Sequence, residues 1–472
     1  MKIAIIGGGI AGASIALYLS QRGLNNITLF EKGESLVNGP PICHLHAGGN
    51  LYREIDQQQC LTLLKQSIDL LRFYPHAIDY RPTVIALPKT DPGSPEQLTE
   101  RLLVLRSEYA KLIEQDPKNK VLGESKDYFC FYSLAQIMQL RQRDNVVHPK
   151  TNNEWMIPVA KHLDLDKLQF PLLLVQEYGL NLFRLAASVT LSLEKMQQCQ
   201  LLFKHQVKNI QKLPAGWSIH YQSASGGSSD TFDYLINAAG FRSGEIDDLI
   251  NVKRQRLVEF KAAYVTKWEN CDATWPEIIF VGERGTPQGM AQFTPYAQGY
   301  FQLHGMTEDI TLFKDGLVKS SPLSAQPKLP AHFIKKIERD WDDALVRQRS
   351  QRAIAHISQY IPEFSNATLG SKPLFGAQQI PGEDASLRAS DTSFVGANYA
   401  RCEVVKASSV LTAAKVIFGH IQTLNSPQYL MQTSTQDDIY LSAQDVTQLA
   451  QKLAHARGYP AALAQVNSNE IN

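Results

Sequence analysis

The residues with the strongest chemical signature lie at the start of the chain. An apolar run, Ile3 to Ile6, enters Gly7-Gly8-Gly9-Ile10-Ala11-Gly12; a helix-like segment follows to about Arg22, and a second apolar run, Ile27 to Phe30, ends in Glu31. A G-x-G-x-x-G spacing between a strand and a helix suits a dinucleotide pyrophosphate. Gly7 permits the tight turn out of the strand, Gly9 lets the backbone approach the phosphates, and Gly12 lets helix and strand pack closely. The helix N-terminus adds unpaired N–H groups and a partial positive charge. Glu31 can accept hydrogen bonds from both hydroxyls of an adenosine ribose, and it would repel a 2′-phosphate.

These residues need a βαβ unit to position them, and the rest of the pattern supplies more elements. Residues 54–73 read as an amphipathic helix, with Ile55, Leu61, Leu64, Ile68 and Leu71 at helical spacing and Pro75 just beyond. Thr83 to Leu87 is a short strand, and 96–116 is a further helix. Leu172 to Glu177 reads as a strand, Asn181 to Cys199 as a helix, and Leu201 to Phe203 with Val207 to Ile210 as strands. Trp217 to Gln222 alternates toward a polar hairpin tip, Ser223 to Asp230, and Tyr234-Leu235-Ile236-Asn237 is a buried strand running into Ala238-Ala239-Gly240. Phe260 to Lys267, Ile278 to Val281 and Tyr300 to His304 alternate as an antiparallel sheet with one face wet. Residues 329–347 and 350–361 are helical, and the polar tail holds one capped helix, from Ser442 to a stop at Gly458 and Pro460.

At 472 residues the chain is too long for one ordinary core, and its 44% apolar and 20% charged composition is that of a soluble globular protein. A net charge of +1 provides no field toward nucleic acid or an anionic membrane. No apolar run approaches the roughly 18 residues of a membrane span. Six scattered cysteines without a C-x-x-C pair suit reduced thiols, and no signal-peptide pattern precedes the first strand. A cytoplasmic enzyme, without a metal site, is the expectation.

The order of motifs resembles the D-amino-acid oxidase (DAO) superfamily of FAD enzymes, which includes glycine, sarcosine and L-2-hydroxyglutarate oxidases. The resemblance covers about residues 1–422. It implies an α/β fold: a Rossmann-like FAD-binding domain with a second, mixed antiparallel-sheet substrate domain. The FAD domain is expected to be discontinuous, from 1–50, 172–250 and 370–422. A helical and strand insert would occupy 51–171, the substrate domain 257–369 with its sheet at 257–320, and a helical tail 423–472. FAD would be held by Gly7, Gly9, Ile10, Ala11, Gly12, Glu31 and Lys32, by the backbone of Val207 at the adenine, and by Ala238, Ala239 and Gly240. His46, Ala47, Gly48, Gly49 and Asn50 would lie along the flavin, and a helix starting at Val404, Val405, Lys406 and Ala407 would face its pyrimidine end. A helix N-terminus or a lysine there stabilises the anionic reduced flavin.

The implied reaction is hydride transfer to flavin N5 from the C–N or C–OH carbon of a small, carboxylate-bearing amino or hydroxy acid, with oxygen, a quinone or another carrier as electron acceptor. Lys261 and Arg388 are the expected catalytic cations, with Arg401 and Arg53 as further carboxylate ligands. An alcohol substrate needs a base, which makes His46 the first choice, ahead of His44 and His304. Cys43, His44 and His46 are also candidates for covalent flavin attachment. The alternative class is an FAD-dependent monooxygenase, or a flavoprotein that modifies a peptide or macromolecular partner. Neither a redox C-x₄-C pair nor a second G-x-G-x-x-G is present, and Trp155-Met156-Ile157-Pro158 matches only half of a halogenase motif.

Overall fold

The computed structural model describes residues 1–42, 55–196, 198–269, 271, 273–339, 341–385, 390–424 and 439–467. Two large sheets organise them. The first has six strands centred on β1 (Ile3–Ile6), which is flanked in parallel by β2 (Ile27–Glu31) and by Tyr234–Asn237. Cys199–Phe203 continues the sheet beyond β2, and Tyr399–Glu403 continues it on the other side, both in parallel; Asp391–Phe394 closes that edge antiparallel. Every residue of β1 is buried, as a central strand covered on both faces requires. Between β1 and β2 runs α1 (Ile10–Gln21), buried continuously from Ala11 to Ser20. Its Ile15 and Leu19 share a core with Leu185 and Val189 of one helix and Val410 and Ile417 of another. The strand order reverses at β1, so the crevice beyond its C-terminal end is where an open parallel sheet takes its ligand.

The second sheet has ten strands built around the long strand Arg256–Lys267. The first half of that strand pairs with Leu374–Pro381 and Leu317–Lys319, and the second half with Tyr300–Gly305 and Thr368–Leu369. Beyond Tyr300–Gly305 come Ala291–Pro295, Glu277–Phe280, Thr83–Ala86, Leu172–Val175 and Phe129–Tyr132. One face is apolar: Tyr264, Phe280, Phe293 and Leu303 pack on Met156, Val159, Ile354, Ile357 and Phe364 of the helical layer. The other face carries polar residues in register, with Gln292 opposite His304 and Thr294 opposite Gln302. This face was expected to be wet. It is turned inward, and Gln292, Thr294 and Gln302 are fully buried.

The sheet assignments redraw the expected segments. Leu172–Val175 and Leu374–Pro381, expected with the first sheet, belong to the second, and the insert contributes Thr83–Ala86 to its interior and Phe129–Tyr132 to its edge. Short buried strands look alike in sequence, and only long-range pairing allocates them. The polar stretch Gly226–Phe232, expected as a hairpin tip, is the exposed edge strand of a three-stranded meander with Gln206–Leu213 and Gly216–Ser223. The helix break expected near 347–350 falls earlier, between Ala331–Glu338 and Asp343–Ser358, where Asp342 accepts from Leu345 N at 2.9 Å and caps the second helix. The tail helix runs from Ala443 to Ala456, capped by Ser442 as its sequence requires.

A buried ionic group joins the two sheets. Asp247 accepts from Tyr399 Oη at 2.6 Å and from Arg401 Nε and Nη2 at 2.9 and 2.8 Å, and it also pairs with Arg256. Arg256 reaches Glu403 at 2.9 Å, and Glu403 also holds Arg254 at 2.9 Å. Tyr399, Arg401 and Glu403 lie on the first sheet, whereas Arg256 opens the long strand of the second.

Candidate active site

The glycine turn has the three-part geometry that its spacing demands. Gly7 adopts φ +103°, and a Cβ there would stand 2.4 Å from Ala238 O. A Cβ on Gly12 would stand 1.9 Å from Gly7 O, so only glycine lets α1 approach the strand end. Gly9 differs, because a Cβ there would meet no protein atom within 4 Å. Gly9 is the N-cap of α1, with no side-chain cap and no acid in the first turn. The protein itself has no steric need for glycine at that point, whereas a pyrophosphate on the helix N-terminus has one. The residues present therefore fit FAD, whose phosphates Gly9, Ile10 and Ala11 would hold.

The acid and its surroundings lie at the same edge. Glu31 Oε2 accepts from Gly8 N at 2.7 Å and Oε1 from Gly33 N at 2.6 Å, which aims the carboxylate and leaves each oxygen a second lone pair for a ribose hydroxyl. Lys32 follows it, exposed. His205 N donates to Glu31 O at 3.0 Å, so the chain crosses the end of β2 and sets Val207 two residues further on. Ala238 continues alongside β1, its N–H bonded to Ile6 O at 2.9 Å, and Gly240 turns away with φ +60°.

Two expectations change on the opposite side. The segment Val404–Ala407 is not a helix start: the strand runs to Glu403, Lys406 caps a single 3-10 turn at Ala407–Ser409, and the α-helix begins at Val410. The chain bends at Val405 and Lys406, and Ser409 Oγ donates to Lys406 O at 2.6 Å to close the turn. Arg401, expected as a substrate ligand, is buried and committed to Asp247. His44, His46, Ala47, Gly48, Gly49, Asn50, Cys43, Arg53 and Arg388 lie outside the described residues. Trp155, Met156, Ile157 and Pro158 are buried in the Asn152–His162 helix as core, so the halogenase-like fragment is structural.

The inward polar face of the second sheet collects charge. Lys261 Nζ lies 2.9 Å from Glu259 Oε2, two residues away on the same side of the strand, and Arg284 pairs with the other oxygen of Glu259. Burial alone would raise the Glu259 carboxyl, but Lys261 and Arg284 hold it below the ordinary carboxylate range. His304 is buried among these cations. Burial first, then the charges of Lys261 and Lys406, with a lesser push from Arg284, bring its pKa down to about 3. Its imidazole is therefore neutral at physiological pH. Lys406 follows the C-terminal end of Tyr399–Glu403, a strand parallel to Tyr234–Asn237 and hence to β1, and its charge acts on His304 together with that of Lys261. Sequence reasoning singled out Lys261, Lys406 and His304 separately but missed Glu259 and Arg284. The period-two spacing of Glu259 and Lys261 was the available signal.

A parallel sheet with a glycine turn, an acid at the end of β2 and a second, mixed sheet define a two-sheet, dinucleotide-binding fold. Residues 2–118 match the family model DAO, described as FAD dependent oxidoreductase. No curated protein matches the chain in sequence. Among solved structures, glycine oxidase from Geobacillus kaustophilus superposes with a TM-score of 0.54 at 10% identity, covering 93% of this chain and 99% of that one. L-amino acid deaminase from Proteus vulgaris gives 0.56 at 12% identity, over 93% and 98% of the chains. Glycerol-3-phosphate dehydrogenase from Bacillus halodurans, complexed with FAD, gives 0.54 at 13% identity, over 98% and 73%. Residues 2–118 thus carry the sequence pattern of the DAO family of FAD-dependent oxidoreductases, and nearly the whole chain shares the fold of these solved structures. Among the described residues, no helix is long and apolar enough to cross a membrane.

Proposed function

We propose that the protein oxidises a small amino or hydroxy acid at the carbon bearing its amine or hydroxyl group, with a carboxylate on the substrate. Bound FAD supplies the hydride acceptor, its N5. The observation that carries this reading is the meeting of Lys261, Arg284 and Lys406 around neutral His304, with one buried carboxylate, Glu259, among them. These side chains line the cleft with positive charge around one acid. A cleft lined in this way attracts anions. A reduced flavin and a substrate carboxylate are the two anions this chemistry brings. Lys406, at the end of the first sheet, is assigned to the flavin side, and Lys261 with Arg284 to the substrate. The structural likeness to glycine oxidase and L-amino acid deaminase supports an amino acid over other carboxylates.

A neutral imidazole at His304 cannot compete with a carboxylate for those cations, and it can accept a proton from a substrate hydroxyl. Its low pKa makes it a weak base, which also favours an amine substrate, since a neutral amine needs no base. Arg388 and His46 stay in this proposal as further ligands from their loops, on the sequence alone. The test is flavin bleaching under anaerobic conditions with amino acids, secondary amines and 2-hydroxy acids, followed by stopped-flow reduction of Lys261→Met, Arg284→Met, Arg388→Met and His46→Ala. A carboxylate substrate whose half-saturation rises in Lys261→Met or Arg284→Met supports the assignment. Parent-like rates and saturation in all three cation variants remove it. Unimpaired reduction in His46→Ala and a His304 variant points to an amine.

A further inference from the structure

The loop behind the ribose acid is held by the far end of the chain. Arg457, just past the tail helix, donates from Nη1 to Val37 O at 2.8 Å and from Nη2 to Leu36 O at 2.8 Å and Ser35 Oγ at 3.1 Å. Burial lowers its pKa to about 10, against the opposing charges of Tyr459 and Glu31, which leaves it charged at neutral pH. Val37 is itself unusual. It adopts φ +55°, a left-handed conformation that a β-branched side chain rarely takes and that persists only where surroundings impose it. Val37 N donates to Gly8 O at 2.8 Å, and Gly8 N in turn donates to Glu31 at 2.7 Å. One continuous path thus runs from the Arg457 guanidinium through a strained peptide into the glycine turn and the ribose acid.

The tail is well placed to carry that load. Val446, Ala450 and Ala454 pack against Phe183 and Ala187, Thr447 Oγ1 accepts from Arg184 at 2.9 Å, and Tyr459 Oη donates to Pro373 O at 2.9 Å. From the other side, Lys204 N holds Gly33 O at 2.9 Å. Without these holds, the short loop between β2 and Pro40 would relax Val37 to an ordinary extended conformation. That relaxation would withdraw the N–H from Gly8 O and loosen the turn that receives the phosphates.

We propose that Arg457 is a positioning residue for cofactor retention: the tail helix latches the loop Ser35–Val37 in a strained conformation that keeps the glycine turn and Glu31 ready for the adenosine half of FAD. This rests on the assignment of FAD to the glycine turn. The test titrates FAD into apoprotein by quenching of flavin fluorescence, with circular dichroism recorded for every variant. Arg457→Ala is expected to weaken FAD binding about tenfold or more, with Arg457→Lys intermediate, because one ammonium cannot span two carbonyls. Lys452→Ala, exposed on the same helix, serves as the control and binds as the parent does. The decisive variant is Val37→Gly, which removes the backbone strain. Alone it should bind FAD nearly as tightly as the parent, and in the Val37→Gly background Arg457→Ala should lose no more than about threefold. Parent-like FAD binding by Arg457→Ala, or a loss undiminished in the Val37→Gly background, overturns the proposal. Gly9→Val separates the two levels: if it too retains FAD, the assignment of FAD to this turn has failed, and the latch with it.

Discussion

The low pKa of His304 makes the protein's acid sensitivity a quantitative test of the cationic cluster. In the folded protein His304 titrates at about 3, against an ordinary 6.5 in the unfolded chain. Below 6.5 the unfolded chain binds a proton that the folded protein refuses. The contribution is therefore fully present above the unfolded value and is lost progressively as pH falls toward 3. One pKa unit corresponds to about 1.4 kcal/mol, so lowering the pH from 7 to 5 should remove about 2 kcal/mol through this one side chain. His76 and His356, also lowered by burial, act in the same direction, so the total loss is larger. The difference between the parent and His304→Gln isolates the term. Urea unfolding of both holoproteins, at saturating FAD and at pH 7 and 5, should show the parent losing about 2 kcal/mol more than the variant. Lys406→Met, which removes one of the charges pressing on the ring, should reduce that gap. If parent and His304→Gln lose the same stability within about 0.5 kcal/mol, His304 is not buried among these cations and the assembled site is wrong.

Three further outcomes follow from the geometry. Gly9→Val should fold with its stability within about 0.5 kcal/mol of the parent and yet lose its yellow flavin absorbance, whereas Gly12→Ala should destabilise the fold by about 1–3 kcal/mol or more; chemical unfolding and visible spectra of the two purified variants check both. Asp247→Ala leaves Arg256 and Arg401 without their shared carboxylate and should cost about 3–5 kcal/mol by urea unfolding, and an equal effect from an exposed carboxylate such as Glu308 would contradict the buried network. Ser442→Ala should cost about 1 kcal/mol through the lost N-cap, read as a shift in the denaturation midpoint without a change in slope.

The parts legible in the sequence were those encoded locally. The glycine turn, Glu31 and the run into Ala238-Ala239-Gly240 each declare themselves within a few residues, because close backbone approach admits only certain side chains. The tail helix was equally plain, with Ser442 at one end and Gly458 at the other. Pairing between distant segments was not legible. Nothing local to Leu172–Val175 distinguishes the sheet it joins, and nothing local to Arg401 says that Asp247 waits for it. The inward polar face was misjudged for a related reason. Alternation marks which side chains share a face but not whether water or another sheet covers it, and here the polar side is the interior one. Glu403 and Lys406 were missed as strand end and turn because two valines between them fit a helix or a strand equally well.

The interleaved strand order also governs when the cofactor site can exist during synthesis. β1 and β2 emerge together and can pair at once, but Ile3 gains its other neighbour only when Tyr234 appears, and that strand gains its own only at Tyr399. The second sheet is no quicker, since Arg256–Lys267 must wait for Leu374–Pro381. Contacts this distant in sequence close slowly, and until they close the apolar run of β1 has an open edge that can pair with the wrong chain. A nascent chain shorter than about four hundred residues thus carries the dinucleotide fingerprint without a place to put the dinucleotide. Supplying the flavin early cannot rescue such a chain, whereas holding its edges apart from their neighbours until Glu403 has emerged can.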